Sequence, residues 1–185
     1  MSPIEFFAAH QADLKKVDAL VVEADRLSWE REPCSGISPG PVRDDETLCR
    51  QVVNPVHVEK DGSLKPTAFD DCMNKGMSVD REAHCDEDAV IARGLARARD
   101  SNERNLGSGR DPHDLHAIAR FVAGNVRAHR FDGAQSLAVY DTAQEDNLSH
   151  ADICMIIPRT THSKRSVRAH LFELAEANTK VLKTL

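Results

Sequence analysis

Five polar residues lie where the pattern of the chain places the ends of β-strands, and their types suit acid–base chemistry. Arg50 and His57 flank the Asn54-Pro55 break in one strand segment. Ser78 sits in the short run Met77-Ser78-Val79-Asp80. Asn147 and His150, together with Asp141, bracket the loop between the last two strand segments. Loops at strand ends commonly carry binding and catalytic groups, and a histidine beside a carboxylate can act as a general base. Arg50, His57, Ser78, Asn147 and His150 therefore form the candidate catalytic set. The plainer role for the same residues is turn formation and capping.

Other chemistries find less support. Nine histidines and five cysteines invite a search for metal ligands. The paired Cys-x2-4-Cys or His-x3-5-His spacing of structural zinc does not occur. The metal candidates reduce to His113 and His116, three residues apart in His113-Asp114-Leu115-His116. No Gly-x-Ser-x-Gly elbow is present, and His84 next to Cys85 is adjacency in sequence only. Neither Gly-x-x-x-x-Gly-Lys-Ser/Thr nor Gly-x-Gly-x-x-Gly occurs, so no cofactor is expected. A basic cluster of Arg159, Lys164, Arg165 and Arg168 marks the start of the last helix. Positive charge there opposes the helix macrodipole, which points to an anionic partner such as a phosphate backbone, an acidic protein surface or the acidic linker of this chain; the plainer role is a solvated face.

The elements that must position these residues read as an α+β domain: a small mixed or antiparallel sheet with two or three helices, preceded by a long amphipathic N-terminal helix. Ser2-Pro3-Ile4-Glu5 is a capping box with proline at the first helical position. Apolar residues then recur at helical spacing through Phe7, Leu14, Val17, Val21 and Leu27, which predicts one helix over residues 1–30. Residues 31–47, rich in Pro, Gly and acid, read as a linker, and 48–185 as the compact domain. Strands are expected in Leu48–Val58, interrupted at Asn54-Pro55, and at Met77–Val79, Leu115–Val122, Leu137–Tyr140 and Ile153–Ile157. Helices are expected from Asp86 to Asp100, with Val90, Ile91 and Leu95 inward, over Ala123–His129, and after a cap at Ser163 or Ser166 through Leu182.

The stretch Leu48-Cys49-Arg50-Gln51-Val52, then Pro55, Asp61-Gly62, Thr67-Ala68-Phe69 and Met77-Ser78-Val79-Asp80, resembles a recurring pattern in small bacterial proteins. Asp141-Thr142 and Asn147-Leu148-Ser149-His150-Ala151-Asp152-Ile153 are similar to its second half, where Asn-Pro-Ala-His-Ala is common; here Leu148-Ser149 replace Pro-Ala. The resemblance spans roughly residues 48–157. It implies a bacterial cytoplasmic protein with one domain from about residue 48, and no particular activity.

Composition bounds the partners. A net charge of −6 argues against a sequence-independent grip on nucleic acid or an anionic membrane. The N-terminus shows no basic region followed by an apolar core, and no stretch approaches the roughly 18 apolar residues of a membrane span. The odd cysteine count suits reduced thiols in a cytoplasm. The leading expectation is an accessory or interaction protein. It would bind a protein partner or self-associate through the apolar stripe Phe7, Leu14, Val17, Val21 and Leu27, because a lone amphipathic helix must bury its face somewhere. A small hydrolase or nuclease using the strand-end cluster is the alternative. Nucleic-acid association through the C-terminal basic cluster is a further one.

Overall fold

A computed structural model describes residues 1–182. Six strands form an antiparallel sheet: β1 (Thr47–Asn54), β2 (Met77–Arg81), β3 (Asp114–Val122), β6 (Leu137–Asp141), β7 (His150–Met155) and β8 (Thr179–Val181), in the order β6-β7-β2-β1-β3-β8. A two-stranded hairpin, β4 (Arg130–Phe131) and β5 (Ala134–Gln135), stands apart. The helices are α1 (Pro3–Ala9), α2 (Lys16–Val21), α3 (Glu87–Arg104), α4 (Ala123–Arg127) and α5 (Thr161–Ala177), with 3-10 turns at Ser28–Arg31 and Pro66–Met73. The expected α+β class thus stands, with the sheet antiparallel throughout. No helix among the described residues is long and apolar enough to cross a membrane.

Strand alternation sorts the side chains onto two faces. Leu48, Val52, Met77, Val79, Phe121, Leu137, Val139, Ile153 and Met155 share one face by register. They pack with Val167, Leu171 and Ala175 of α5 and with Phe69, whose ring meets Phe121 edge-on at 5.6 Å. The opposite face is divided. Over β1 and β3 lies α3, with Val90 against Cys49 and Ile118. Over β7 and β6 lies the N-terminal segment, with the Phe7 ring 4.9 Å from Tyr140.

The predicted N-terminal helix does not form as one rod. The capping box is present, with Ser2 N donating to Glu5 at 2.8 Å and Glu5 N to Ser2 Oγ at 3.3 Å, but α1 ends at Ala9. A helix over residues 3–29 would run about 40 Å at roughly 1.5 Å per residue and could not wrap onto a curved sheet. The chain instead turns at residues 10–15, where the Asp13 carboxylate accepts from Lys15 N at 2.7 Å and so competes with the helical pattern. Val17 N then bonds Asn74 O, and Arg26 Nε bonds Ile156 O. These contacts commit both halves of the segment to the sheet. Of the residues assigned to a partner, Phe7 and Val17 are buried within the chain and Val21 is partly buried; Leu14 and Leu27 are exposed.

Two smaller differences follow from packing. On α3, capped by Asp86, Val90 is buried but Leu95 is exposed. There Gly94 faces β3 instead, and a Cβ on it would come 2.7 Å from Leu115. The cap of α5 is Thr160, with Ser163 completing the box; the helix stops at Ala177, and Val181 belongs to edge strand β8.

Candidate functional site

The sheet face beneath the N-terminal segment is polar where β2 and β7 meet. Their register sets Ser78 opposite Asp152 and Asp80 opposite His150, so all four side chains project from one face. A cavity of about 360 Å³ opens between this face and the N-terminal segment; Lys16, Ser78, Thr142, Gln144, His150 and Asp152 contribute to its walls. Gly76 permits the close approach. Its φ is +85°, and a Cβ there would lie 3.1 Å from Asp152 Cγ.

Lys16 enters from α2 and donates to Asp152 Oδ2 at 2.6 Å, with both side chains almost fully buried. Burial alone would raise the Asp152 carboxyl, but the Lys16 ammonium and His150 outweigh it and hold the group below the usual carboxylate range. Burial likewise favours neutral Lys16, and Asp152 reverses that preference.

His150 is oriented by the strand before it. Its Nδ1 lies 3.0 Å from the Thr142 carbonyl oxygen and 3.0 Å from Thr142 Oγ1. A carbonyl can only accept, so in the neutral ring Nδ1 carries the proton. Nε2 then carries the lone pair and lies 4.0 Å from Asp152 Oδ1. This is the tautomer a general base needs.

A second network holds the loop ahead of β7. Asp80 Oδ1 accepts from Asn147 Nδ2 at 2.7 Å and from Ser149 Oγ at 3.2 Å, and pairs with Arg93 at 3.1 Å. Asn147 Oδ1 accepts from Ser149 N and Oγ. Gln51 Nε2 donates to Asp80 Oδ2 at 3.1 Å. The polar atoms of Asn147 are spent on this network, which makes it a positioning residue for His150.

Of the five residues in the sequence-derived set, Ser78, Asn147 and His150 converge here. Arg50 does not. Strands β1 and β2 pair only at Leu48–Arg81 and Cys49–Asp80; beyond this the Arg50 guanidinium donates to Ser78 O at 3.1 Å and to Asp71 at 3.0 Å, on the α5 side of the sheet. His57 closes the end of β1, its Nδ1 accepting from Val53 N at 3.0 Å. Burial and then the Arg50 charge pull its pKa down to about 4, so it is neutral at physiological pH and serves as a fixed acceptor.

Cys34 also borders the cavity, but burial pushes its thiol well up, so it stays protonated and a poor nucleophile. His113 and His116 are partly buried on and beside β3, and no group of three metal-ligating side chains gathers among the described residues. In the basic cluster, Arg168 grips Asp70 through two bonds of 2.8 and 2.6 Å, and Arg159 bonds Asp18, Met73 O and Asn74; Lys164 and Arg165 remain exposed.

Sequence reasoning missed Lys16, Asp152 and Asp80. The last two carried a signal, because Ser78/Asp80 and His150/Asp152 are i, i+2 pairs that any strand must place on one face. Lys16 carried none. Comparison with protein-family models, with curated proteins and with solved structures finds no match for this chain.

Proposed function

We propose that the β2–β7 cavity is the active site of a small hydrolase acting on an acyl ester. The observation that carries the reading is the His150 tautomer: the Thr142 carbonyl holds the Nδ1 proton and leaves Nε2 free beside a cavity that Ser78 shares. In the first step Ser78 Oγ attacks the substrate carbonyl carbon while His150 Nε2 takes the hydroxyl proton. The ester C–O bond then breaks, and the leaving alcohol departs with that proton. In the second step water attacks the acyl-serine, gives a proton to His150, and Ser78 leaves with it as the free hydroxyl. The Asp152 carboxylate stands next to the positive charge that His150 acquires in each half, and Lys16 keeps that carboxylate ionised.

Hydrolysis of p-nitrophenyl acetate, together with mass-spectrometric detection of fluorophosphonate on Ser78, tests the reading. His150→Gln is expected to lower turnover by about 10²–10⁴-fold, the usual worth of a general base. Ser78→Ala should abolish labelling. Labelling elsewhere, or turnover indifferent to both changes, would discard it.

A second reading retains partner binding or self-association for the part of the N-terminal segment that does not pack. Leu14 and Val22 are 72% and 79% exposed, which supports a contact surface there. A Leu14→Asp change that leaves the solution mass unaltered would remove self-association from consideration.

A further inference from the structure

Lys16 commits little of its donor capacity to the fold. An ammonium carries three donors, and Lys16 Nζ has a single hydrogen-bond partner among the described residues, Asp152 Oδ2 at 2.6 Å. The side chain is only 6% exposed, so its other donors are shielded from bulk solvent. The Phe7 ring covers one side of it, with the centroid 5.7 Å from Nζ. What remains open to Lys16 is the cavity of about 360 Å³, whose wall it forms together with Ser78 and His150. A buried cation with unbonded donors on a cavity wall suits an acceptor carried by the ligand.

Placement points the same way. Asp152 stands between the base and the cation: its Oδ1 lies 4.0 Å from His150 Nε2, and its Oδ2 accepts from Lys16. Ser78 is the cross-strand partner of the same Asp152, and residues directly opposite on paired strands have Cβ atoms about 4.5–5.5 Å apart. One carboxylate thus gathers nucleophile, base and ammonium around a single space. Attack by Ser78 on an ester puts negative charge on the carbonyl oxygen, and that charge needs a donor.

We propose that Lys16 is a catalytic residue whose ammonium holds the substrate carbonyl oxygen and the oxyanion it becomes. The inference rests on the hydrolase reading of the same cavity and goes beyond the counter-ion role of Lys16 there. As Ser78 Oγ bonds the carbonyl carbon, the π electron pair moves onto the oxygen, which accepts from Lys16 Nζ. When the tetrahedral intermediate collapses the pair returns, the C=O bond re-forms, and the alcohol leaves with the proton that His150 holds. Lys16 keeps its own proton throughout. Burial disfavours the ammonium, but the Asp152 carboxylate outweighs it and keeps the group charged.

The test compares p-nitrophenyl acetate with O-p-nitrophenyl thionoacetate, in which sulfur, a much weaker acceptor, replaces the carbonyl oxygen. Both esters use Ser78, His150 and Asp152 alike, so the ratio of their kcat/KM values reports on the donor at that one atom. A partly unfolded variant lowers both rates and leaves the ratio alone. The wild-type chain is expected to favour the oxygen ester about 10²–10³-fold more than hydroxide in buffer does, the usual worth of one oxyanion donor. Lys16→Met should remove that excess, and Lys16→Arg, which retains charged donors, should keep part of it. His150→Gln should lower both rates and leave the ratio in place. Should Lys16→Met fail to fold, the double change Lys16→Met/Asp152→Asn leaves no lone buried charge and carries the same measurement. A wild-type ratio equal to that of hydroxide, or one that replacing Lys16 does not move, overturns the inference alone. A wild-type chain that hydrolyses neither ester overturns the hydrolase reading and this inference together.

Discussion

Arg81 and Asp152 lie on neighbouring strands, project from opposite faces of the sheet, and each holds a buried charge against an opposite partner. The surroundings differ. Arg81 meets Glu46 through two bonds of 2.7 and 2.9 Å and donates to Gly40 O and Pro41 O, which ties the segment before β1 to the sheet. Asp141 completes that cluster, bonded by Ser38 and lying 3.3 Å from Arg81 without hydrogen-bond alignment. Asp152 has one strong partner, Lys16, and beside it a cavity, a histidine and a serine. A buried pair enclosed by backbone acceptors holds a fold together. A buried pair left open to a cavity keeps a charge in place for something else.

The comparison can be broken at four points. Arg81→Met should be the most damaging. It leaves Glu46 buried without its cation, and loss of about 3–5 kcal/mol is expected in urea unfolding; a loss below about 1 kcal/mol would show that the cluster is not structural.

Asp141→Asn should act in the opposite direction. Burial raises the Asp141 carboxyl to about 6 despite Arg81, above the 3.8 usual for an aspartate. Between those values the folded state holds a proton that the unfolded state has released, so stability falls as pH rises through the window. At pH 7 ionised Asp141 costs roughly 3 kcal/mol. The asparagine variant should recover part of that and flatten the pH–stability curve between about pH 4 and 6; an unchanged curve would count against the assignment.

Lys16→Met should cost less than Arg81→Met, about 1–3 kcal/mol, because the cavity can admit water to Asp152. Asp152 also has the opposite pH signature from Asp141. Its lowered carboxyl contributes stability above the unfolded value, and that contribution disappears as pH falls through the folded one. Equal losses for Lys16→Met and Arg81→Met would erase the distinction between the clusters. The smallest effect is expected from Thr160→Ala, which removes the α5 cap far from both. It should lower stability by about 1 kcal/mol and leave ester hydrolysis unchanged.

How much of this was legible depended on the range of the signal. The Ser2–Glu5 box, helix α3, and strands β1, β2, β3 and β6 follow from residues a few positions apart, and the structure contains them. Strand β7 was placed too late. Polar His150 reads as the end of the loop, yet both faces of β7 are covered, so a strand that alternates polar and apolar is buried along its whole length. The apolar period of the first 30 residues was real, but a period does not say where a chain bends. Asp13 and the reach to Asn74 and Ile156 settled that.

By itself, the sequence determined the class of fold, the N-terminal capping box, and the placing of Ser78, Asn147 and His150 on strands or the loops beside them. Only the tertiary structure separated Arg50 and His57 from them and brought in Lys16, a residue 136 positions from the Asp152 it neutralises. The physical reason is that a buried charge takes its partner from strand order, register and whatever segment covers the face. None of these is encoded in spacing along the chain.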